Sequence, residues 1–98
     1  MTRARSTSLD PDVRLLAALA DPTRLAIVRQ LASESETCAC DFTTCCDVGQ
    51  PTVSHHLRVL REAGVVVSER RGQQIFYRLD PSASERLGSL TREVSVRA

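Results

Sequence analysis

Three Asp–Pro pairs fix where helices can begin in this chain. The pairs are Asp10-Pro11, Asp21-Pro22 and Asp80-Pro81. Aspartate favours the N-cap because its side chain accepts a hydrogen bond from the first turn, and proline suits the first helical position because that N–H lacks an intrahelical partner. Apolar residues recur at helical spacing after each pair. The pairs therefore predict helices over 11–20, over 22–33 and from 81 onward.

The residues from 49 to 79 predict a further helix followed by a β-hairpin. One face of a helix over 50–63 carries the apolar residues Val53, Leu57 and Leu60, and Gly64 is a favourable C-cap. A β-branched run over 65–71 and an alternating run over 74–79 flank the turn Arg71-Gly72-Gln73. Two strands joined in this way form a wing.

The order of these elements predicts a winged helix-turn-helix, a mainly α fold with a small β-hairpin. A short, weakly coded third helix is expected where the cysteines lie, with Phe42 directed inward, giving about five helices and a two-stranded wing. The expected domain covers residues 10–94, with residues 1–9 as a flexible tail. A late apolar stripe, formed by Leu87, Leu90 and Val94, suits a homodimer interface.

The polar face of the predicted helix over 50–63 is a candidate DNA-binding surface. The formal net charge is only +1, so DNA binding would depend on where the thirteen arginines lie. Polar residues on any amphipathic helix also point outward, and arginines also solubilise a hairpin tip, so each candidate has a structural alternative. Of the adjacent histidines, one is expected to face DNA and one to pack at the helix flank. The candidate DNA-binding residues are Gln50, Thr52, Ser54, His55, Arg58, Arg70, Arg71 and Gln73.

All four cysteines of the chain lie within nine residues, at Cys38, Cys40, Cys45 and Cys46. Scattered cysteines usually pack as small hydrophobic residues. Clustered thiolates instead select thiophilic ions over hard cations such as magnesium. No apolar run could span a bilayer and no hydrophobic segment follows the two early arginines, so we expect a cytoplasmic protein with reduced thiols. The cluster therefore predicts a soft-metal or redox-active site.

Three sequence blocks resemble the ArsR/SmtB family of metal- and metalloid-responsive repressors. They run over 19–25, over 50–66 and from Arg71 through the Tyr77-Arg78-Leu79 segment. This resemblance implies a homodimeric winged-helix repressor that pairs through its first and last helices and leaves its operator when an inducer binds. No phosphate-binding loop, carboxylate pair or activated nucleophile suggests an enzyme.

Arsenic-responsive members of that family carry Cys-Val-Cys-Asp-Leu-Cys, and this chain carries Cys38-Ala39-Cys40-Asp41-Phe42-Thr43. The resemblance therefore implies As(III) or Sb(III) as inducer, with no cofactor required for DNA binding. Thr43 replaces the third cysteine, so Cys45 or Cys46 is left to complete the set. Other members bind zinc through histidine and aspartate on the last helix, but residues 81–98 contain neither.

Helical geometry suggests how such a site would act. Residues advance about 100° each on a regular helix, so Cys38 and Cys40 would point in nearly opposite directions. Capture by three sulfurs would then require the third helix to unwind or move, or a thiol from outside that helix to take part. Movement of the third helix would displace the following helix. Cadmium, lead or copper(I), or oxidation of neighbouring thiols, remain alternatives to a metalloid.

Overall fold

The computed structural model describes residues 10–42 and 50–96 and contains four α-helices and a three-stranded antiparallel sheet within those ranges. In chain order, the elements are α1 Pro11–Leu19, α2 Pro22–Glu34, β1 Thr37–Cys38, a 3-10 helix Ala39–Asp41, α3 Gln50–Glu62, β2 Val66–Arg71, β3 Gln74–Leu79 and α4 Pro81–Glu93. Strands β2 and β3 form the wing.

Each predicted aspartate cap is present. Asp10, Asp21 and Asp80 all have extended backbone, and each is followed by proline in the first turn. Asp21 accepts from two backbone N–H groups, those of Thr23 and Arg24, both at 3.0 Å. These bonds satisfy donors that a helix start otherwise leaves without partners, so the predicted starts of three helices are confirmed.

The end of α3 and the wing turn depend on two glycines with positive φ. Gly64 (φ +82°) donates to the carbonyl of Arg61, and Val65 donates to that of Leu60, which together form a Schellman motif. Gly72 (φ +65°) begins the two-residue turn between β2 and β3. Glycine at this position matches a type II′ hairpin, whose twist suits the flanking strands.

Gly64→Ala should destabilise the fold by about 1–2 kcal/mol, because an L-residue is disfavoured in the left-handed region even where its Cβ meets no atom. The matched control is Gly88→Ala in α4. There the added Cβ meets only the mobile end of Arg92, at 3.5 Å, and helix propensity predicts stabilisation by about 0.5–1 kcal/mol. Thermal unfolding of both variants measures the difference. A stabilising Gly64→Ala substitution would contradict this account of the α3 end.

The cysteine segment differs from its prediction. Thr37 and Cys38 form a strand that pairs with β3, placing Thr37 opposite Tyr77 and Cys38 opposite Phe76. Residues 39–41 then form one turn of 3-10 helix. The expected helix over the cysteines is therefore wrong for 38–41, because the outer edge of β3 offers backbone hydrogen-bonding groups that a strand satisfies. The rest of that predicted helix and the predicted tail, residues 1–9, lie outside the described residues.

The core lies between the helices and the inner face of the sheet. Phe42 is fully buried, as predicted, and its ring meets that of Tyr77 edge to face, with centroids 6.2 Å apart. The fold class predicted from the sequence is confirmed, although the described residues contain four α-helices where about five were expected, and the sheet gains a third strand. Within the described residues, every helix is too short or too polar to cross a membrane. The buried core residues include Leu15, Ile27, Leu31, Val53, Leu57, Leu60, Val65 and Val66.

Candidate DNA-binding surface and thiol site

Helix α3 separates its apolar and polar faces as the sequence predicts. Val53, Leu57 and Leu60 are at most 1% exposed. Four of the candidate DNA-binding residues, Thr52, Ser54, His55 and Arg58, lie exposed on the same helix. Gln50 begins α3, but its side chain is outside the described part of the structure. The polar side chains therefore form one accessible surface that can donate to an anionic partner.

A groove of about 460 Å³ runs along this surface and adds Arg61, which is not among the candidate DNA-binding residues named above. Arg61 lines it together with Ser54, His55 and Arg58. Arg61 lies three positions after Arg58, so the two side chains are neighbours on the helix surface. The spacing of these arginines was the signal available in the sequence. The groove carries two guanidinium groups that suit phosphate contacts.

The two adjacent histidines differ in their surroundings. His55 is exposed, whereas the side chain of His56 is only 13% exposed. Nδ1 of His56 lies 3.2 Å from Nη1 of Arg24, and an arginine N–H can only donate, so Nδ1 is the acceptor. Arg24 also donates through Nε to the carbonyl of Ala18 at 2.6 Å. His56 thus packs at the flank and links α3 to α1 and α2, in agreement with the expectation for one histidine.

Asp21 lies beside this cluster, 3.9 Å from Nδ1 of His56. The backbone N–H of Arg24 lowers the pKa of Asp21 below its ordinary value, with smaller contributions from nearby positive charge. A depressed folded-state pKa stabilises the fold above the unfolded-state pKa, and that contribution is lost as pH falls through the folded-state value. The Asp21 cap at the start of α2 should therefore weaken as the pH falls through the folded-state pKa of this carboxyl.

The three wing candidates have different environments. Arg70 and Gln73 are exposed, and Arg70 donates through Nε to the carbonyl of Gly72 at 3.2 Å. Arg71 instead donates to both carboxylate oxygens of Glu36, at 2.9 and 2.6 Å, and to Glu69 at 3.0 Å. These carboxylates, Glu36 first, raise the pKa of Arg71 above its ordinary value. Arg71 therefore ties the wing to the segment before the cysteines.

Cys38 and Cys40 lie side by side. Their Sγ atoms are 3.0 Å apart, with Cys38 buried and Cys40 exposed. Two thiolates bound at about 2.3 Å to one tetrahedral ion are roughly 3.8 Å apart, so this pair needs little adjustment to hold a single ion. The predicted opposite orientation is wrong, because an extended residue followed by a 3-10 turn directs the sulfurs together.

Hydrogen bonding between the thiols affects their protonation. The bond to Cys38, followed by partial desolvation and the negative charge of Asp41, raises the pKa of Cys40 to about 11. Sγ of Cys40 also lies 3.8 Å from Oδ1 of Asp41. Within residues 10–42 and 50–96, no group of three or more His, Cys, Asp or Glu side chains is arranged to hold a metal ion. The other predicted ligands, Cys45 and Cys46, lie outside those ranges.

Comparison with known proteins identifies the family. Residues 21–68 match the model of the bacterial regulatory protein arsR family. A solved structure described as a possible transcriptional regulator for arsenical resistance superposes with a TM-score of 0.75 at 32% identity, covering 85% of each chain. The chain belongs to the ArsR family. The matched region contains α2, β1 and α3 and thus both the thiol pair and the groove.

Characterised ArsR relatives are named for different functions. The arsenical resistance operon repressor of Escherichia coli is 44% identical over 70% of this chain and 59% of its own length. The repressor SmtB of Mycobacterium tuberculosis is 49% identical over 72% of this chain and 52% of its own. The cadmium resistance regulatory protein CadC of Listeria innocua is 42% identical over 60% and 50%.

The chain spans between half and three-fifths of the length of these ArsR relatives. All are transcriptional regulators or repressors by name, which agrees with the absence of an enzyme motif in the sequence. Their names include both arsenical and cadmium resistance. Membership of the ArsR family therefore leaves the identity of the inducer to be argued from the thiol site of this chain.

Proposed function

We propose that this protein is a transcriptional repressor that binds operator DNA and releases it when trivalent arsenic or antimony binds its cysteines. The observation that carries this proposal is the Cys38–Cys40 thiol pair, with sulfurs 3.0 Å apart, in a domain that also presents a polar groove on α3. Such a repressor acts where the DNA is, which places it in the cytoplasm. DNA binding itself requires no cofactor.

The polar face of α3 is the part that would enter the major groove, as the second helix does in winged helix-turn-helix proteins. Thr52, Ser54, His55 and Arg58 would contact phosphates or base edges, with Gln50 at the start of the helix. Arg70, Arg71 and Gln73 would approach the DNA from the wing. Of all these candidates, Arg58 is the strongest, because it is an exposed arginine that lines the groove and can donate to phosphate through its guanidinium group.

Arg58→Ala should weaken binding to operator DNA. Operator DNA here means a duplex that the protein selects from a random-sequence library. Loss of one guanidinium contact typically costs about 1–3 kcal/mol, or roughly 5–150-fold in affinity. Fluorescence anisotropy at fixed salt concentration gives the dissociation constant. Arg29→Ala is the matched control, because Arg29 is exposed on α2 and lies outside the groove and the proposed dimer helices. A similar loss in that variant would assign the effect to net charge alone.

The inducer is proposed to bind Cys38 and Cys40, with Cys45 or Cys46 as the third thiolate, from the same or the partner subunit. Trivalent arsenic and antimony are thiophilic, and the relatives named for arsenical resistance support this choice. All four cysteines lie within one short segment of the sequence, whereas the ligand pairs of structural zinc sites are widely separated in sequence. Residues 81–98, which include α4, contain neither the histidine nor the aspartate ligands of the zinc-responsive type.

Another thiophilic ion, cadmium, lead or copper(I), is the second candidate inducer, supported by the similarity to CadC. Titrating each ion into the protein bound to operator DNA, while following thiolate-to-metal absorption and anisotropy together, separates the candidates. Arsenite or antimonite should release DNA at the lowest concentration. Release by cadmium alone would replace the metalloid assignment.

A thiol redox switch receives less support. The thiolate is the reactive form toward peroxide, and the hydrogen bond to Cys38 raises the pKa of Cys40 to about 11, which disfavours that form further near neutral pH. An ion that bonds to both sulfurs displaces their protons as it binds. Release of DNA by peroxide from chelator-treated protein, in the absence of any added metalloid, would favour the redox switch instead.

Homodimer formation through α1 and α4 is part of the proposal. Leu16 of α1 is 48% exposed and Val13 is 36% exposed, while Val94 and Val96 beyond α4 are 78% and 93% exposed. The two helices are joined within one chain by an ion pair of 3.0 Å between Arg86 and Asp12. Burial of these exposed apolar side chains against a second copy would stabilise the dimer.

A further inference from the structure

The thiol pair faces the tip of the wing across a small cavity. This cavity has a volume of about 200 Å³ and lies between the cysteine segment and the β2–β3 turn. Cys38, Ala39 and Cys40 line one side, and Gln73, Gln74 and Ile75 line the other. An ion held by both sulfurs would therefore lie at the edge of this cavity. Any further group bonded to that ion would contact the wing residues that line the cavity.

Backbone pairing fixes the cysteine segment to the same strand. Cys38 lies opposite Phe76, and Thr37 lies opposite Tyr77, in the β1–β3 ladder. Because β3 continues directly from the wing turn, movement of Cys38 displaces the strand that carries Gln74 and Ile75. The two sulfurs are 3.0 Å apart and would have to separate to bind one ion. This movement of Cys38 would therefore shift the wing.

A second connection closes a ring around this ladder. The guanidinium of Arg71 lies 4.5 Å from the ring centroid of Phe76 and donates to both carboxylate oxygens of Glu36, two residues before Cys38. Bidentate arginine–carboxylate pairs fix orientation as well as distance. The thiol segment is therefore joined to the wing at two points. One is the ion pair between Glu36 and Arg71, and the other is the backbone pairing of Cys38 with Phe76.

We propose that the wing forms the second wall of the inducer site and transmits inducer binding to the DNA-binding surface. This inference rests on the proposed function and adds Gln74 and Ile75 to the inducer site, with Glu36 as a positioning residue. Gln73 then belongs to two surfaces, the cavity and the candidate DNA contact of the wing. Inducer and DNA would require different wing positions, and by reciprocity each would weaken binding of the other by the same factor.

The side-chain amides of glutamine report on this directly. The four glutamines are Gln30, Gln50, Gln73 and Gln74, which places reporters on α2, at the start of α3 and on the wing. In ¹⁵N-labelled full-length protein without DNA, arsenite should shift the side-chain amide signals of Gln73 and Gln74, and Cys40→Ser protein should show no shift. Signals that move at Gln50 while both wing glutamines stay unchanged would overturn the proposal in favour of coupling through α3.

Glu36→Gln tests transmission, with Glu85→Gln on α4 as a control of equal charge change at an exposed site. The quantity compared is the ratio of operator dissociation constants with and without saturating arsenite. Glu36→Gln should reduce this ratio by about 2–30-fold, the range for mutations that alter coupling, while the arsenite titration followed by thiolate absorption stays unchanged. An unchanged ratio, or an equal fall in Glu85→Gln, refutes transmission through the wing.

The two levels of proposal fail in distinguishable ways. If arsenite produces no thiolate absorption in the unchanged chain, the proposed function is wrong and the wing inference falls with it. If arsenite binds and releases DNA but neither wing measurement responds, the repressor assignment stands and only the second wall is refuted.

Discussion

Serine in place of Cys40 should leave operator binding intact and abolish the release of DNA by arsenite. Cys40 is exposed and adjacent to Cys38, and it does not line the groove on α3, so the substitution leaves the groove residues in place. A hydroxyl is a harder ligand than a thiolate and does not replace sulfur toward a thiophilic ion. We expect arsenite affinity to fall more than about 100-fold, beyond the loss typical of an outer-sphere partner. Anisotropy of operator DNA during an arsenite titration measures both properties.

The remaining cysteines supply the controls for this prediction. Cys38→Ser should behave as Cys40→Ser does, since either change leaves one sulfur of the pair. Cys45→Ser and Cys46→Ser, tested singly and together, identify which one supplies the third thiolate. Counting sulfur atoms per arsenic by X-ray absorption in each variant links the loss of release to loss of a ligand. Full release of DNA from Cys40→Ser protein at the original arsenite concentration would refute the site.

The helix starts were predictable because their cause is local. An aspartate before proline needs only its own backbone turn to act as a cap, and Asp10, Asp21 and Asp80 all do so. The same holds for Gly72, which allows the hairpin turn without any distant contact. The position of the polar face of α3 was predictable from helical periodicity alone. When Leu57 faces the core, Arg58 points about 100° away from it and lies exposed.

The thiol pair was misplaced because its geometry is set from outside the segment. The strand contains only Thr37 and Cys38, which is too short a run to show the alternating pattern of a strand in the sequence. These two residues form a strand only because the edge of β3 is available for pairing. Their pairing partner lies about forty residues later in the chain. Helical angles therefore predicted separated sulfurs, where the strand and 3-10 turn bring them together.

The role of Arg71 shows the same limit for charged residues. From sequence, an arginine at a hairpin tip suggests either DNA contact or a solvated surface. In the structure, its carboxylate partners are Glu36, 35 positions away, and Glu69, two positions earlier on the same strand. Only the fold brings Glu36 to the wing, so the connection between the thiol segment and the hairpin had no local signal.

Phe42→Ala should destabilise the protein more than any other single change considered for this chain, by about 3–5 kcal/mol. The side chain is 0% exposed, and its ring packs edge to face with Tyr77, 6.2 Å between centroids. Truncation removes apolar burial and leaves a cavity beside the strand that pairs with the cysteine segment. Small domains have about 5–15 kcal/mol of total stability, so this loss is a large share of it. Denaturant unfolding followed by far-ultraviolet circular dichroism measures the change.

Phe76→Ala is the matched control, because the chain has only two phenylalanines and Phe76 is half-buried rather than enclosed. Its ring contributes mainly a contact with Arg71, 4.5 Å from the guanidinium carbon, so its truncation should cost clearly less. Phe42→Leu should also cost less than Phe42→Ala, since it retains much of the buried apolar volume. Equal losses for the two phenylalanines would mean that Phe42 does not anchor the core. A larger loss for Phe42 would show that this side chain, two residues after Cys40, is one of those that hold the core together.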